Sequence, residues 1–209
     1  MASIKLLLIL ASFIAICAAF PPRIHQRNSR KSSRGLETLL LNNTVELDPE
    51  GTFRLDWDVV YDQDPANPLV VLEARVATTG WFSLRFTSSD LTLGDYFYGA
   101  YDVNRPANSF FLDKHCDLVD GLGCETADGP QDDLRNDFQL VSLVNGLDYT
   151  VMRIARVVDT GRIQDVVITP GPMMIGWAWS LGIQQSGIGN QLTPIEKFGF
   201  QNVALIPVK

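Results

Sequence analysis

Histidine and cysteine are scarce in this 209-residue chain: there are two His, His25 and His115, and three Cys, Cys17, Cys116 and Cys124. So few imidazoles exclude a Ser-His-Asp triad built around a second His, and no Gly-rich phosphate loop or nucleophile elbow is present. The spacing of Cys116 and Cys124 suits no common zinc motif. Long apolar runs are missing after the first twenty residues, which argues against stable insertion in a membrane. Basic residues are also sparse in the body of the chain. Of the 17 Lys and Arg, 6 precede Gly35, whereas all 24 Asp and Glu follow it, so the remainder carries −13 against −7 overall. A body this acidic repels nucleic acid and anionic lipid and favours cations or basic partners.

The chain opens on Lys5, an apolar run from Leu6 to Ile16 and the small residues Cys17-Ala18-Ala19. One early charge, a short apolar core and a small-x-small exit predict a secretory signal peptide over residues 1–19, with a secreted, extracellular product. Residues 20–35 carry Arg23, Arg27, Arg30, Lys31 and Arg34 among prolines and serines. This basic segment cannot bury enough surface to offset its ordering entropy, and it reads as disordered. The sites ending at Arg30 and Arg34 make it either a propeptide for a basic-specific protease or a solvated tail. Asn42-Asn43-Thr44 is the one glycosylation sequon, with Asn42 the acceptor. Once Cys17 leaves with the signal peptide, Cys116 and Cys124 remain, and an oxidising compartment predicts a disulfide between them.

Residues 45–209 read as strands in a single domain. Phe53, Leu55, Trp57 and Val59 alternate with Arg54, Asp56 and Asp58; Phe82, Leu84 and Phe86 alternate with Ser83, Arg85 and Thr87. Period two is the mark of strands. Further runs cover Leu69 to Ala77, Tyr96 to Val103, Ser109 to Lys114, Phe138 to Val144, Tyr149 to Val158, the face Met173, Ile175, Trp177 and Trp179, and Asn202 to Val208. Asn145-Gly146 between two of them is a hairpin signal. About nine strands and no amphipathic helix predict an all-β fold, a two-sheet antiparallel sandwich.

Three tracts keep one order and spacing: Thr79-Gly80-Trp81-Phe82-Ser83-Leu84-Arg85-Phe86, Gly94-Asp95-Tyr96-Phe97-Tyr98-Gly99-Ala100-Tyr101, and Phe111-Leu112-Asp113-Lys114-His115. Asp137-Phe138-Gln139-Leu140, Val158-Asp159-Thr160 and Ile175-Gly176-Trp177-Ala178-Trp179 follow. Together, over about residues 45 to 185, they resemble a DOMON domain, similar to the amino-terminal domain of the dopamine β-hydroxylase-like copper monooxygenases and to stand-alone DOMON modules. The resemblance implies an immunoglobulin-like sandwich without catalytic residues. The His and Met set of a copper pair is missing, and Gly161 stands where those enzymes often carry a bridging Cys.

Haem-binding members use one Met and one His as axial ligands. Leu91 aligns with the Met, and Leu181 to Phe200 contains no His, so haem is not expected unless Met152, Met173, Met174 and His115 regroup. Asp95 and Asp137 match positions that the resemblance associates with a structural cation, and oxygen ligands suit a hard ion such as calcium. The other reading is that each caps a turn or accepts hydrogen bonds at a strand end, as Asp residues there routinely do. Trp81, Tyr98, Tyr101 and Trp177 are candidates to line a ligand cavity between the sheets, with core packing as the other reading. The expected function is that of a secreted, non-catalytic module binding a small ligand, a carbohydrate or an aromatic, or an extracellular protein. The alternatives are a haem-carrying electron-transfer protein and an acidic matrix component.

Overall fold

The computed structural model describes residues 33–61, 64–119, 123–124, 130–133, 135–146, 148–185, 190–192 and 195–208. The signal peptide and nearly all of the basic segment lie outside these residues. Strands β1 (Asn43–Glu46), β2 (Phe53–Val60), β3 (Leu69–Val76), β4 (Trp81–Thr87), β5 (Leu93–Ala100), β6 (Phe110–Val119), β7 (Gly123–Cys124), β8 (Gln131–Asp132), β9 (Gln139–Asn145), β10 (Thr150–Val157), β11 (Pro172–Trp179), β12 (Ile183–Gln185), β13 (Asn190–Leu192) and β14 (Lys197–Ala204) follow in order. One sheet runs β1-β2-β3-β10-β9 and the other β14-β11-β4-β5-β6-β7, with β8 paired to β6; β12 and β13 form a separate hairpin. The pairings within both sheets are antiparallel, as a sandwich of hairpins requires. Among the described residues no helix is long and apolar enough to cross a membrane.

The period-two residues form the interface between the sheets. Phe53, Leu55 and Trp57 of β2 meet Phe82, Leu84 and Phe86 of β4, Phe97 of β5 and Ile175, Trp177 and Trp179 of β11 in one cluster. Phe53 packs edge-on to Phe82 at 5.9 Å, and the Trp57 indole donates to the Leu205 carbonyl at 3.0 Å. Burial of so much aromatic area is the main stabilising term of the fold.

The second sheet departs from the sequence reading in one respect. The alternation in β4 implies a wet face of Ser83, Arg85 and Thr87, yet all seven residues of β4 are buried. Its outer face carries a second cluster with Trp81, Tyr96, Tyr98, Cys116 and Leu118 at its centre. The Arg85 guanidinium is only 1% exposed and lies over the Phe200 ring at 4.7 Å, so stacking replaces water around a buried cation.

A short helix, α1 (Ser33–Glu37), begins inside the segment expected to be disordered. The residues after it explain why. Leu36, Leu39 and Leu41 cover Val71, Val141 and Ala155 on the outer face of the first sheet. Arg153 Nη1 donates to the carbonyls of Leu36 at 2.9 Å, Glu37 at 2.8 Å and Leu39 at 3.1 Å, while its Nε bonds Glu73 at 2.8 Å. One guanidinium thus satisfies carbonyls that a helix end leaves open.

Candidate functional site

Strand register brings the acids together at one end of the sandwich. Asp95 on β5 pairs with His115 on β6, and Phe97 pairs with Asp113 two residues further along. Directly opposed residues point to the same face. Asp95 and Asp113 therefore point inward with Phe97, into the space between the sheets. β8 lies on the far side of β6, with Gln131 opposite His115, and this delivers Asp133, whose amide donates to the Asp113 carbonyl at 3.3 Å. Carboxylate oxygens of Asp95, Asp113 and Asp133 all lie within 4.8 Å of one another.

Asp137 and Asp165 lie beside this group. The amides of Asp137 and Phe138 donate to Asp113 Oδ2 at 2.7 and 3.1 Å. Arg162 Nε holds Asp137 at 2.8 Å, and the carboxyl groups of Asp137 and Asp165 meet. From the opposite sheet Arg156 on β10 reaches across the interface. It donates to Asp95 and to the Val166 carbonyl, and its guanidinium lies over the Phe138 ring at 5.0 Å. His115 Nδ1 bonds Asp133 Oδ1, which also accepts from Gln164 at 2.8 Å. The carboxylates thus outnumber the guanidinium groups of Arg156, Arg162 and Arg135 that act on them.

These acids are buried and incompletely bonded. Asp95 is 1% exposed and Asp165 5%. Asp95 Oδ1, Asp113 Oδ1, Asp133 Oδ2 and both oxygens of Asp165 are buried with no hydrogen-bond partner. Burial pushes Asp95 up to about 7 against the pull of Arg156. Burial, then Asp133, pushes Asp113 up to about 9, and burial followed by Asp165 raises Asp137. Like charge crowded in a buried space is relieved either by a proton, which Asp113 can share with Asp133, or by a hard cation bound through oxygen.

Of the two acids expected from the sequence, Asp95 lies in the group of three and Asp137 beside it; Asp95 accepts from Arg156 and the Val166 amide, and Asp137 pairs with Arg162. Asp113, Asp133 and Asp165 escaped the sequence reading as site residues. The Asp-x-His of Asp113-Lys114-His115 was the available signal for one of them; Asp133 and Asp165 sit in polar loops that carry none.

The four aromatic candidates do not line one cavity. Trp81 and Tyr98 are neighbours at 6.2 Å on the outer face of the second sheet, where Tyr98 stacks on Tyr96 at 6.1 Å. Trp177 points the other way, into the inter-sheet core against Phe53 at 5.8 Å. Tyr101 follows the end of β5 and is half-buried. The Tyr98 hydroxyl is buried with no hydrogen-bond partner. Cys116 and Cys124 are bonded, with Cα atoms 5.6 Å apart, and both sulfurs lie near the Tyr96 hydroxyl, at 3.5 and 3.7 Å. Asn42 is exposed and donates to Asp58 at 2.5 Å.

The sequence matches no protein-family model and no curated protein. Among solved structures it is similar to the cytochrome b domain of pyranose dehydrogenase from Coprinopsis cinerea. The TM-score is 0.48 at 12% identity, over 75% of this chain and 78% of that chain. No ligand or activity is carried over from that likeness.

Proposed function

We propose that this chain is a secreted, non-catalytic DOMON-type binding module whose sandwich is locked at one end by a structural calcium ion. One observation carries the cation: the carboxylates of Asp95, Asp113 and Asp133 converge within 4.8 Å of one another, and each has a buried oxygen with no hydrogen-bond partner. Asp95, Asp113 and Asp133 would hold the ion, with Asp137 and Asp165 beside them. It would add positive charge to that of Arg156, Arg162 and Arg135. The acids fit a structural better than a catalytic role because Asp95, Asp113 and Asp165 are sealed from solvent, where no substrate reaches them. The bound partner of the module would be a small carbohydrate or aromatic ligand, or an extracellular protein. The disulfide supports export, since such bonds persist in oxidising compartments.

Haem is the weaker reading. The Met152 side chain lies against Gly99, and His115 lies opposite Asp95, four residues away along β5. That separation is about 13 Å at strand spacing, too far to share one iron. His115 Nδ1 is also engaged by Asp133.

Calorimetric titration of calcium into chelator-treated protein tests the proposal. Wild type should bind one ion per chain, and Asp95→Asn/Asp137→Asn should not. Absence of binding by wild type overturns it.

A further inference from the structure

Two basic sites precede the domain, Arg27-Asn28-Ser29-Arg30 and Lys31-Ser32-Ser33-Arg34, and their residue types rank neither above the other. The fold separates them. Residues 27–32 lie outside the described residues, whereas Arg34 stands inside α1 (Ser33–Glu37). The residues after Arg34 are tied down at once. Leu36 is 6% exposed, packed in one cluster with Val71, Val141 and Ala155. Arg153 Nη1 takes the carbonyls of Leu36, Glu37 and Leu39, and the Thr38 hydroxyl donates to the Gly35 carbonyl at 3.5 Å. Glu73 fixes that guanidinium in turn, accepting from Nε at 2.8 Å and from Nη2 at 2.7 Å.

A protease needs the chain it cuts in extended form, with several residues on each side of the bond free to enter its cleft. For the Arg34–Gly35 bond those residues include Leu36 and Glu37, which α1 coils and Arg153 holds. Cleavage there must wait for the segment to lift from the sheet. Lifting exposes Leu36 and strips Arg153 of three carbonyls, so the rate follows the small population of the lifted state. The Arg30–Lys31 bond comes ahead of α1, and cutting it disturbs neither Leu36 nor Arg153.

We infer that Arg30 is the processing site of this chain, and that the segment over the first sheet protects the Arg34–Gly35 bond and stays with the mature domain. A basic-specific secretory protease hydrolyses the Arg30–Lys31 peptide bond with one water, leaving a carboxylate on Arg30 and a new amino terminus on Lys31. This inference shares the export of the chain with the proposed function and is independent of the cation, since none of its contacts touches the acid group.

Amino-terminal sequencing of protein from cells that carry basic-specific proteases in their secretory pathway tests it. Secreted wild type and Arg34→Gln should both begin at Lys31, and Arg30→Gln should begin at Phe20. Wild type beginning at Phe20 or Gly35, or Arg30→Gln beginning at Gly35, overturns the inference while export stands. Met1 retained inside the cell overturns the export reading and this inference with it. Trypsin then tests the protection directly, with a peptide of residues 26–41 as the unfolded reference. The folded chain should be cut after Arg34 at least about tenfold more slowly than the peptide, with the Arg30 bond much less affected. Arg153→Ala should recover most of the lost rate, and so should Leu36→Ser, which removes the buried anchor and leaves the sheet intact. Cleavage after Arg34 as fast as in the peptide, or unchanged in both variants, shows that the segment gives no protection and defeats the inference.

Discussion

Replacing Asp113 with Asn should stabilise the protein in chelator and destabilise it in calcium. Asp113 is buried on β6; Oδ2 accepts two backbone amides, and Oδ1 has no donor. Burial, then the contact with Asp133 and the charge of Asp95, pushes it from 3.8 to about 9. The folded state therefore keeps a proton that the unfolded chain releases above about pH 4. The stability this group allows is fully present below that pH and is lost as pH rises toward the folded value. At pH 7 the gap from 3.8 is roughly three units, or about 4 kcal/mol at 1.36 kcal/mol per unit. Asp133 shares the strain, so we expect Asn to recover about 2–4 kcal/mol of it, while its carbonyl still serves the two amides. In a domain of this size that is a rise in Tm of about 5–15 °C at pH 7 in EDTA. The gain should shrink at pH 5, where roughly one unit of gap remains. Calcium reverses the sign, because the ion uses the charge that Asn lacks. Thermal melts of both proteins at the two pH values, with calcium and with EDTA, read this directly. A variant less stable than wild type under all four conditions would refute the reasoning, leaving Asp113 an ordinary acceptor for two amides.

Three further outcomes are expected. Peptide mapping without reduction should recover Cys116 linked to Cys124, and removing the bond should cost about 2–3 kcal/mol in a denaturant titration, in line with a loop of eight residues. Arg153→Ala should cost about 1–3 kcal/mol and speed hydrogen exchange in residues 36–41 while the inter-sheet core stays protected; uniform exchange in that segment before and after the change would mean that Arg153 does not hold it. Gly80→Ala should be far worse than Gly161→Ala despite the positive φ of Gly161. A Cβ at Gly80 would lie 2.3 Å from the Ser180 carbonyl oxygen, which is backbone, whereas one at Gly161 meets open space. Expression yield and Tm of the two variants decide it, with about 1 kcal/mol expected at Gly161 and several at Gly80.

The sandwich was legible because its strands obey the simplest rule. β2 and β4 alternate with period two, and Asn145-Gly146 ends β9 where the turn to β10 begins. Two misreadings have physical causes. The last strand was expected over Asn202 to Val208, drawn by the apolar run there, but β14 is Lys197–Ala204. Its partner decides the register: Gly199 lies opposite Trp177, and a Cβ there would fall 2.7 Å from the indole, while the Phe200 ring covers Gly176. Glycine placed against a ring is a cross-strand fact, invisible until the pair is known. The outer face of β4 was misread for a similar reason. Ser83, Arg85 and Thr87 have polar side chains that imply water, and only the rings of Tyr96 and Phe200 around Arg85 make burial tolerable.

The acid site shows why charge in a sequence is a poor guide to charge in a structure. The −13 of the body fits solubility as well as cation binding, and Asp residues at strand ends are more often turn caps. Asp48 is such a case: it is buried, but Thr52 and Phe53 donate amides to it and Lys197 pairs with it, so its charge is accounted for. Asp95 has the same residue type and similar burial, with one oxygen left over and Asp113 and Asp133 beside it. Donor supply separates the two. It depends on residues 38 and 70 positions apart along the chain, Asp133 and Asp165, which only the register of β5 on β6 and the return of the β10–β11 segment bring to Asp95. A resemblance could mark Asp95 and Asp137 in advance because it carries that register implicitly. Composition and spacing could not, since neither records which acids end up without a donor.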